Sequence, residues 1–299
     1  MVWAMTHKGY TKQELISAGL AVNGKNGRLY DKFRNRLMLP VIDVRGDVVG
    51  FGSRVLDKSE PKYMNTPETL TYSKRRILYG MNLAKKSKRS NIILCEGNLD
   101  VVTLHQAGFD NAVASMGTAL TQEQLRLLSR YTKELVLCYD NDNAGKIATE
   151  RALQILNGSE FSVKVLQLPR RLVDGEYVKQ DADDFIKFQG ADAFERLLNG
   201  SENGVEFRMA QVAGKYDLAN DESRIAYCEE VSELLASLSS AVEREIYTTR
   251  AAEAAKITPD AMKLEVQRAF KRRLAREKRA ELPTDLNPGA PLQPKERAP

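Results

Sequence analysis

The chain has 299 residues, a length suited to about two domains, and 42% of them are apolar against 28% charged. No run approaches the roughly 18 consecutive apolar residues of a membrane span, and residues 1–10 lack the apolar stretch of a secretory leader. A cytoplasmic globular protein with no membrane partner is therefore expected. Cys95, Cys138 and Cys228 are far apart and show no C-x-x-C spacing, so neither a disulfide framework nor a zinc site is indicated.

The net charge is only +5, but its distribution is uneven. Between Glu68 and Glu96 there is no acidic residue, while Lys74, Arg75, Arg76, Lys85, Lys86, Lys88 and Arg89 all fall there. A second basic run covers Arg268 to Arg279. Such runs suit a phosphate backbone. A solvated helix face is an equally good account of the second one.

In chain order, two apolar runs, Leu37 to Val44 and Val48 to Val55, flank the turn Arg45-Gly46-Asp47 and predict a β-hairpin. Pro61 to Tyr79 reads as a loop. From Asn91 onward short apolar strands alternate with helices. Strands are expected at Ile92–Cys95, Ala112–Met116, Leu135–Tyr139 and Val163–Leu168, and helices at Leu99–Ala107, Thr121–Arg130 and Ala144–Leu156. Thr121 with Gln124 three residues on is a capping-box signal. The alternation predicts a parallel sheet covered by helices, hence an α/β domain within an α+β whole. After Gly200 only helices are expected, at Arg224–Leu238, Ala241–Lys256 and from Thr258-Pro259 onward. Beyond Leu282 the prolines predict a linker or tail. The expected organisation is a small basic α+β subdomain over 1–88, the sheet domain over 89–200, a helical subdomain over 201–281 and the tail over 282–299.

Carboxylates gather where these strands end. Glu96 follows the first strand and Asp100 enters the next helix. Asp140 and Asp142 follow the third strand, and Asp181 and Asp183 lie in an acidic loop after the fourth. The carboxyl ends of parallel strands line one crevice, where ligands bind. Two residues in alternate positions of extended chain point to one side, so each Asp-x-Asp pair can face that crevice. Six carboxylates there repel one another unless cations intervene, and hard oxygen donors suit Mg²⁺ or Mn²⁺. With two histidines, His7 and His105, histidine chemistry competes poorly, and His105 reads as a structural helix residue. An EF-hand reading of Asp140-Asn141-Asp142-Asn143-Ala144-Gly145 fails at Ala144 and at Arg151, where a glutamate is needed. A phosphate-loop reading around Gly145-Lys146 fails at Asp140 and Ile147.

These residues resemble the TOPRIM pattern, a Glu after one strand and Asp-x-Asp after a later one. The wider resemblance is to bacterial DnaG-type primases. It rests on Glu96–Val102, Ala114–Ala119 and Tyr139–Gly145, and on the upstream stretches Phe33–Pro40, Gly50–Arg54 and Pro61–Thr69. The resemblance implies the catalytic core of a DNA primase, a nucleotidyltransferase that copies single-stranded DNA into short RNA primers from ribonucleoside triphosphates. It implies Glu96, Asp140 and Asp142 as catalytic residues, and Glu96, Asp100, Asp140, Asp142, Asp181 and Asp183 as ligands of Mg²⁺ or Mn²⁺, with no zinc. Arg34, Arg36, Lys62, Asn65 and Lys74 match positions that hold template or nucleotide. The zinc-binding module that usually begins such primases has no Cys/His ligands here. Contact with a replicative helicase is expected through a region absent from this chain. Two readings from other classes are a topoisomerase-like or nuclease-like TOPRIM enzyme and a single-strand DNA-binding module without activity.

Overall fold

The computed structural model describes residues 1–173 and 175–280, so the expected tail at 282–299 lies outside the described residues. The chain divides into two units, Met1–Phe207 and a second beginning at Arg208.

The first unit opens with two short helices, α1 (Val2–His7) and α2 (Lys12–Ser17). Thr11 and Glu14 close a capping box on α2, which satisfies two N–H groups the helix cannot bond itself. A ribbon of β1 (Ala21–Asn23) and β2 (Leu29–Asp31) follows. Then β3 (Arg36–Ile42), β4 (Val48–Val55) and β5 (Tyr63–Asn65) form an antiparallel sheet in that order. The expected hairpin is thus present, but Val44 falls in its turn rather than its strand. The Asp43 carboxylate makes the turn by accepting the backbone N–H groups of Arg45, Gly46 and Asp47 at 2.8, 3.0 and 3.0 Å.

The segment after β5 docks on the central domain before α3 (Met81–Ala84) begins. Tyr79 pairs antiparallel with Ala114 through two backbone hydrogen bonds of 2.9 and 3.1 Å. Val41, Tyr72 and Met116 form a small shared core there.

The central domain runs β6 (Asn91–Cys95), α4 (Asn98–Gln106), β7 (Ala112–Ala114), α5 (Gln122–Leu128), β8 (Glu134–Cys138), α6 (Asn143–Leu156) and β9 (Ser162–Val165). A hairpin of β10 (Arg171–Val173) and β11 (Glu176–Val178) precedes α7 (Ala182–Gln189), α8 (Ala191–Asn199), β12 (Glu202–Asn203) and α9 (Gly204–Ala213). The sheet order is β12-β9-β8-β6-β7, with β6 to β9 parallel and β12 antiparallel on the edge. The α/β and α+β reading of the sequence therefore holds.

Strand alternation builds a core on each face. Ile92, Leu94, Leu135 and Leu137 join Leu125 and Leu128 of α5 and Leu153 and Leu156 of α6. Ile93, Cys95, Val136 and Cys138 join Val101 and Leu104 of α4, Phe185 of α7 and Phe194 of α8. Burying each Leu or Ile contributes roughly 2 kcal/mol. Cys95 and Cys138 are buried in this core as free thiols. His105 Nε2 donates to the Ala112 carbonyl, 2.8 Å away, and so ties α4 to β7.

Further features depart from the sequence reading, beginning with β5, a strand inside the stretch Pro61 to Tyr79 that was read as a loop. The fourth strand stops at Val165, although Leu166 and Leu168 remain buried beyond it. The stretch read as an acidic loop contains the β10–β11 hairpin. A two-residue strand, β12, follows Gly200, where helices alone were expected, because Glu202 and Asn203 complete the edge of β9.

The second unit takes the end of α9 from Arg208 on, then α10 (Asp221–Ala236), α11 (Ala241–Ala255) and α12 (Pro259–Ala280). Asn220 and Ser240 cap the first two through side-chain oxygens that accept from Ser223 and Glu243. Ala251, Ala252, Ala255 and Ala269 are buried beside Tyr227, Val231 and Met262, and these small side chains let helix backbones approach closely.

Candidate functional site

Glu96 is the first residue past β6, and Asp140 is the second past β8. Gly145 shows how tightly this end of the sheet is closed. A Cβ on Gly145 would lie 2.0 Å from the Asp140 carbonyl oxygen and 2.9 Å from Glu96 Oε1. Only glycine allows α6 to start this close to the Asp140 carbonyl and the Glu96 carboxylate. The Asp140 N–H donates to Glu96 Oε1 at 3.2 Å, which joins the two strand ends directly.

Asp100 stands in the first turn of α4 and is buried. Its carboxylate accepts the N–H of Gly97 at 3.1 Å and that of Asp183 at 3.4 Å, so it bridges α4 and α7. Asp181 is the N-cap of α7 and Asp183 lies in its first turn. This corrects the loop placement: the helix N-terminus, not an extended strand, brings Asp181 and Asp183 together. Asp184, which the sequence reading left out, completes the group. Asp181, Asp183 and Asp184 each offer a carboxylate oxygen within 4.8 Å of the others.

The proton affinities show which of these acids share one environment. Burial pushes Asp100 up from 3.8 to about 7, and the charges of Asp181 and Asp140 add to it. Burial, then Asp181, raises Asp140. Burial, then Asp140, raises Glu96. These acids lack enough positive charge to be comfortable ionised.

Asp142 behaves differently. It caps α6 by accepting the Gly145 N–H at 2.8 Å, and Lys179 Nζ lies 2.7 Å from its other oxygen. That lysine holds the Asp142 carboxyl below its usual range. Lys179 also stands 4.0 Å from Asp140. At Asp183, burial works upward, but Lys187 and the Thr103 hydroxyl outweigh it and the net direction is down. The two Asp-x-Asp pairs therefore do not present equivalent carboxylates. In each, one acid is tied to a lysine.

The five basic and polar positions are more scattered. Arg34 and Lys62 are exposed. Arg36 is turned inward and donates to the carbonyls of Pro61 and Lys62 at 2.7 and 3.5 Å. Asn65 donates to the Met116 carbonyl at 3.1 Å, tying β5 to the loop after β7. Lys74 is held through its backbone, its N–H to Glu68 at 2.8 Å and its carbonyl to Gln124 at 3.0 Å. Two unexpected neighbours stand closer to the acids. Tyr63 feels the charges of Asp100, Asp181 and Asp183, and burial raises its hydroxyl pKa. Arg54 lies 5.8 Å from the Tyr63 ring centroid, and its charge reaches Asp183. Arg54, Lys58 and Lys62 line a groove of about 610 Å³ with Leu37, Leu56 and Leu99. Arg54 closes the Gly50–Arg54 stretch, so its signal was present in the sequence. Lys179 carried none.

All the clustered donors are carboxylate oxygens, they repel one another, and the nearest cations are two lysines. That donor set fits a divalent cation.

Family models match three parts of the chain. Residues 1–85 match the DNA primase catalytic core, N-terminal domain; residues 93–186 match a Toprim-like domain; residues 205–260 match the DnaB-helicase binding domain of primase. The last match falls inside the chain, whereas the sequence reading placed the helicase contact beyond it. The DNA primase of Clostridium acetobutylicum is 43% identical over 244 residues, 81% of this chain and 39% of the relative. That of Haemophilus influenzae is 40% identical over 220 residues, 71% of this chain and 35% of the relative. The chain thus spans roughly two fifths of the length of these curated relatives. Among solved structures, the DNA primase domain from Pseudomonas aeruginosa superposes with a TM-score of 0.72 at 30% identity, over 88% of this chain and 83% of that one. The DnaG primase catalytic domain bound to ssDNA gives 0.68 at 33% identity, over 82% and 79%. The RNA polymerase domain of Mycobacterium tuberculosis primase DnaG, in complex with double-stranded DNA, gives 0.73 at 31% identity, over 86% and 81%. At 43% identity over 81% of its length, the chain belongs to the bacterial DnaG-type DNA primase family.

Proposed function

We propose that the protein synthesises short RNA primers on a single-stranded DNA template. The observation that carries this reading is the cluster of Glu96, Asp100, Asp140, Asp181 and Asp183 at one end of a parallel sheet, with Arg54 and Tyr63 beside it. In the reaction the 3′-hydroxyl oxygen forms a bond to the α-phosphorus of a ribonucleoside triphosphate. The bond from that phosphorus to the bridging oxygen breaks, and pyrophosphate leaves. Mg²⁺ or Mn²⁺ held by Glu96, Asp100, Asp140, Asp142, Asp181 and Asp183 would lower the cost of charge on the attacking and leaving oxygens.

The chain's own groups divide the remaining work. Glu96, with its raised proton affinity, takes the proton of the attacking hydroxyl at Oε1 or Oε2. Arg54 and Lys62, in the groove beside the acids, hold phosphate oxygens, for which the planar guanidinium fork is suited. Arg34 and Lys74 extend this positive surface toward the template. Arg36 and Asn65 act as positioning residues, since both are spent on backbone carbonyls. On this reading residues 1–88 take the template, 89–200 carry the chemistry and 201–281 meet a replicative helicase. No helix among the described residues is long and apolar enough to cross a membrane, in keeping with work at a cytoplasmic replication fork.

The test is synthesis of short RNA on single-stranded DNA from labelled ribonucleotides with Mg²⁺ or Mn²⁺, beside an Asp140→Asn control. Primers that vanish in the control, with DNA binding retained, support the reading. Near-normal synthesis by the control overturns the site assignment. Failure of the wild type both to start primers and to extend a preformed RNA primer overturns the activity.

A further inference from the structure

A two-stranded hairpin is marginal in water unless one face is packed against something. The hairpin of β10 and β11 satisfies this on one side only. Arg171 and Val178 are directly paired across it and share a face. The Arg171 guanidinium lies 3.6 Å from the centroid of the Phe188 ring, so this face touches α7. Leu172 and Tyr177 form the next pair and so project from the opposite face. They are 59% and 70% exposed. A large aliphatic side chain and an aromatic ring thus stand side by side without cover.

Both ends of this ribbon are tied into the acidic site. Before β10, the Leu168 carbonyl accepts from Asn141 at 3.1 Å and the Pro169 carbonyl from Gln180 at 2.6 Å. After β11, Lys179 reaches Asp142. Tyr177 is two residues from Lys179, roughly 7 Å of extended chain. The local charge also suits a polyanion: residues 170–179 hold Arg170, Arg171 and Lys179 against Asp174 and Glu176.

We propose that the Leu172–Tyr177 face is a stacking platform for a base of single-stranded nucleic acid held at the acidic site. This inference rests on the primase reading and deepens it by naming where the strand is gripped. An exposed aromatic ring is the chemistry that binds single strands without reading their sequence, because every base presents a π-face. Leu172 supports the ring from its cross-strand position.

The experiment measures binding of a fluorescein-labelled oligothymidylate of about 12 nucleotides by anisotropy, using the full chain. Variants Tyr177→Ala, Tyr177→Phe and Leu172→Ala are compared at one salt concentration. Both positions are exposed, so thermal unfolding should match the wild type and serves as the folding control. Tyr177→Ala is expected to weaken binding roughly 5- to 100-fold, the range of one lost base stack. Tyr177→Phe keeps the ring and should stay within about twofold of the wild type, since the π-face carries the contact. Wild-type affinity in Tyr177→Ala overturns the platform while leaving the primase reading intact, and so does an equal loss in Tyr177→Phe. If the wild type fails to bind the oligonucleotide, the primase reading falls and the platform falls with it.

Discussion

Asp100 offers the sharpest test of whether the acidic cluster is a cation site. Its carboxyl is buried, and its pKa rises from 3.8 to about 7, first through burial and then through Asp181 and Asp140. A raised folded-state value means that the folded protein holds this proton more tightly than the unfolded chain does. Stability is therefore fully present below pH 4 and is lost as pH rises through 7. A shift of about 3 units corresponds to about 4 kcal/mol by pH 8. Asp100→Asn removes the ionisation and with it this loss. The amide still accepts one of the two backbone N–H groups, from Gly97 or Asp183. Facing the other with its NH₂ costs about 1 to 2 kcal/mol. The net expectation is a variant about 2 kcal/mol more stable than the wild type at pH 8, or about 5 °C in midpoint for a unit of this size. At pH 4 the order reverses by about 1 kcal/mol. Thermal unfolding followed by circular dichroism in EDTA at the two pH values reads both. Adding a divalent cation at 100 times its dissociation constant returns about 2.7 kcal/mol to the wild type and less to the variant. Equal stability of the two proteins at pH 8 in EDTA, with parallel pH profiles, would refute the reasoning.

Other consequences are equally direct. Lys179 sits 2.7 Å from Asp142 and competes with any cation for it, so Lys179→Met should tighten Mg²⁺ binding about fivefold, measured by calorimetry. Because the pair is exposed, the same change should move stability by less than about 1 kcal/mol. Gly145→Ala places a methyl 2.0 Å from the Asp140 carbonyl, so α6 must shift. The metal-induced rise in unfolding temperature should shrink markedly, and a wild-type rise would show that the closeness is not needed. Phe194 is fully buried, with its ring centroid 4.8 Å from that of Phe109 and 6.1 Å from that of Phe185. Phe194→Ala should cost about 4 kcal/mol in urea unfolding, and a loss below about 1 kcal/mol would mean that α8 is not part of the core.

Much of the chain could be read from local pattern alone. Residues 92–95 and 135–138, the buried parts of two strands, are unbroken apolar runs, because a parallel strand buried on both faces has no polar side to show. The cap of α5 by Thr121 and Gln124 is a contact over three residues, so the sequence contains all of it. Glu96 and Asp140 were legible for a related reason: the residue after a buried strand is carried to the crevice by the topology itself. The β10–β11 hairpin was not legible. Its strands are three residues each and carry Arg, Glu and Lys nearby, so they show neither a clean alternation nor an apolar run.

The sequence by itself determined the four parallel strands of the central sheet and the positions at which Glu96 and Asp140 leave them. Hydrophobic period and capping are properties of neighbouring residues. Only the tertiary structure decided how those carboxylates differ. Asp100 is buried between α4 and α7 and keeps its proton near neutrality, while Asp142, of the same residue type, is held ionised by Lys179. Arg36 and Asn65 lose their freedom to carbonyls 25 and 51 residues away. Charge and burial depend on what the fold brings within a few ångströms, and no spacing along the chain records that.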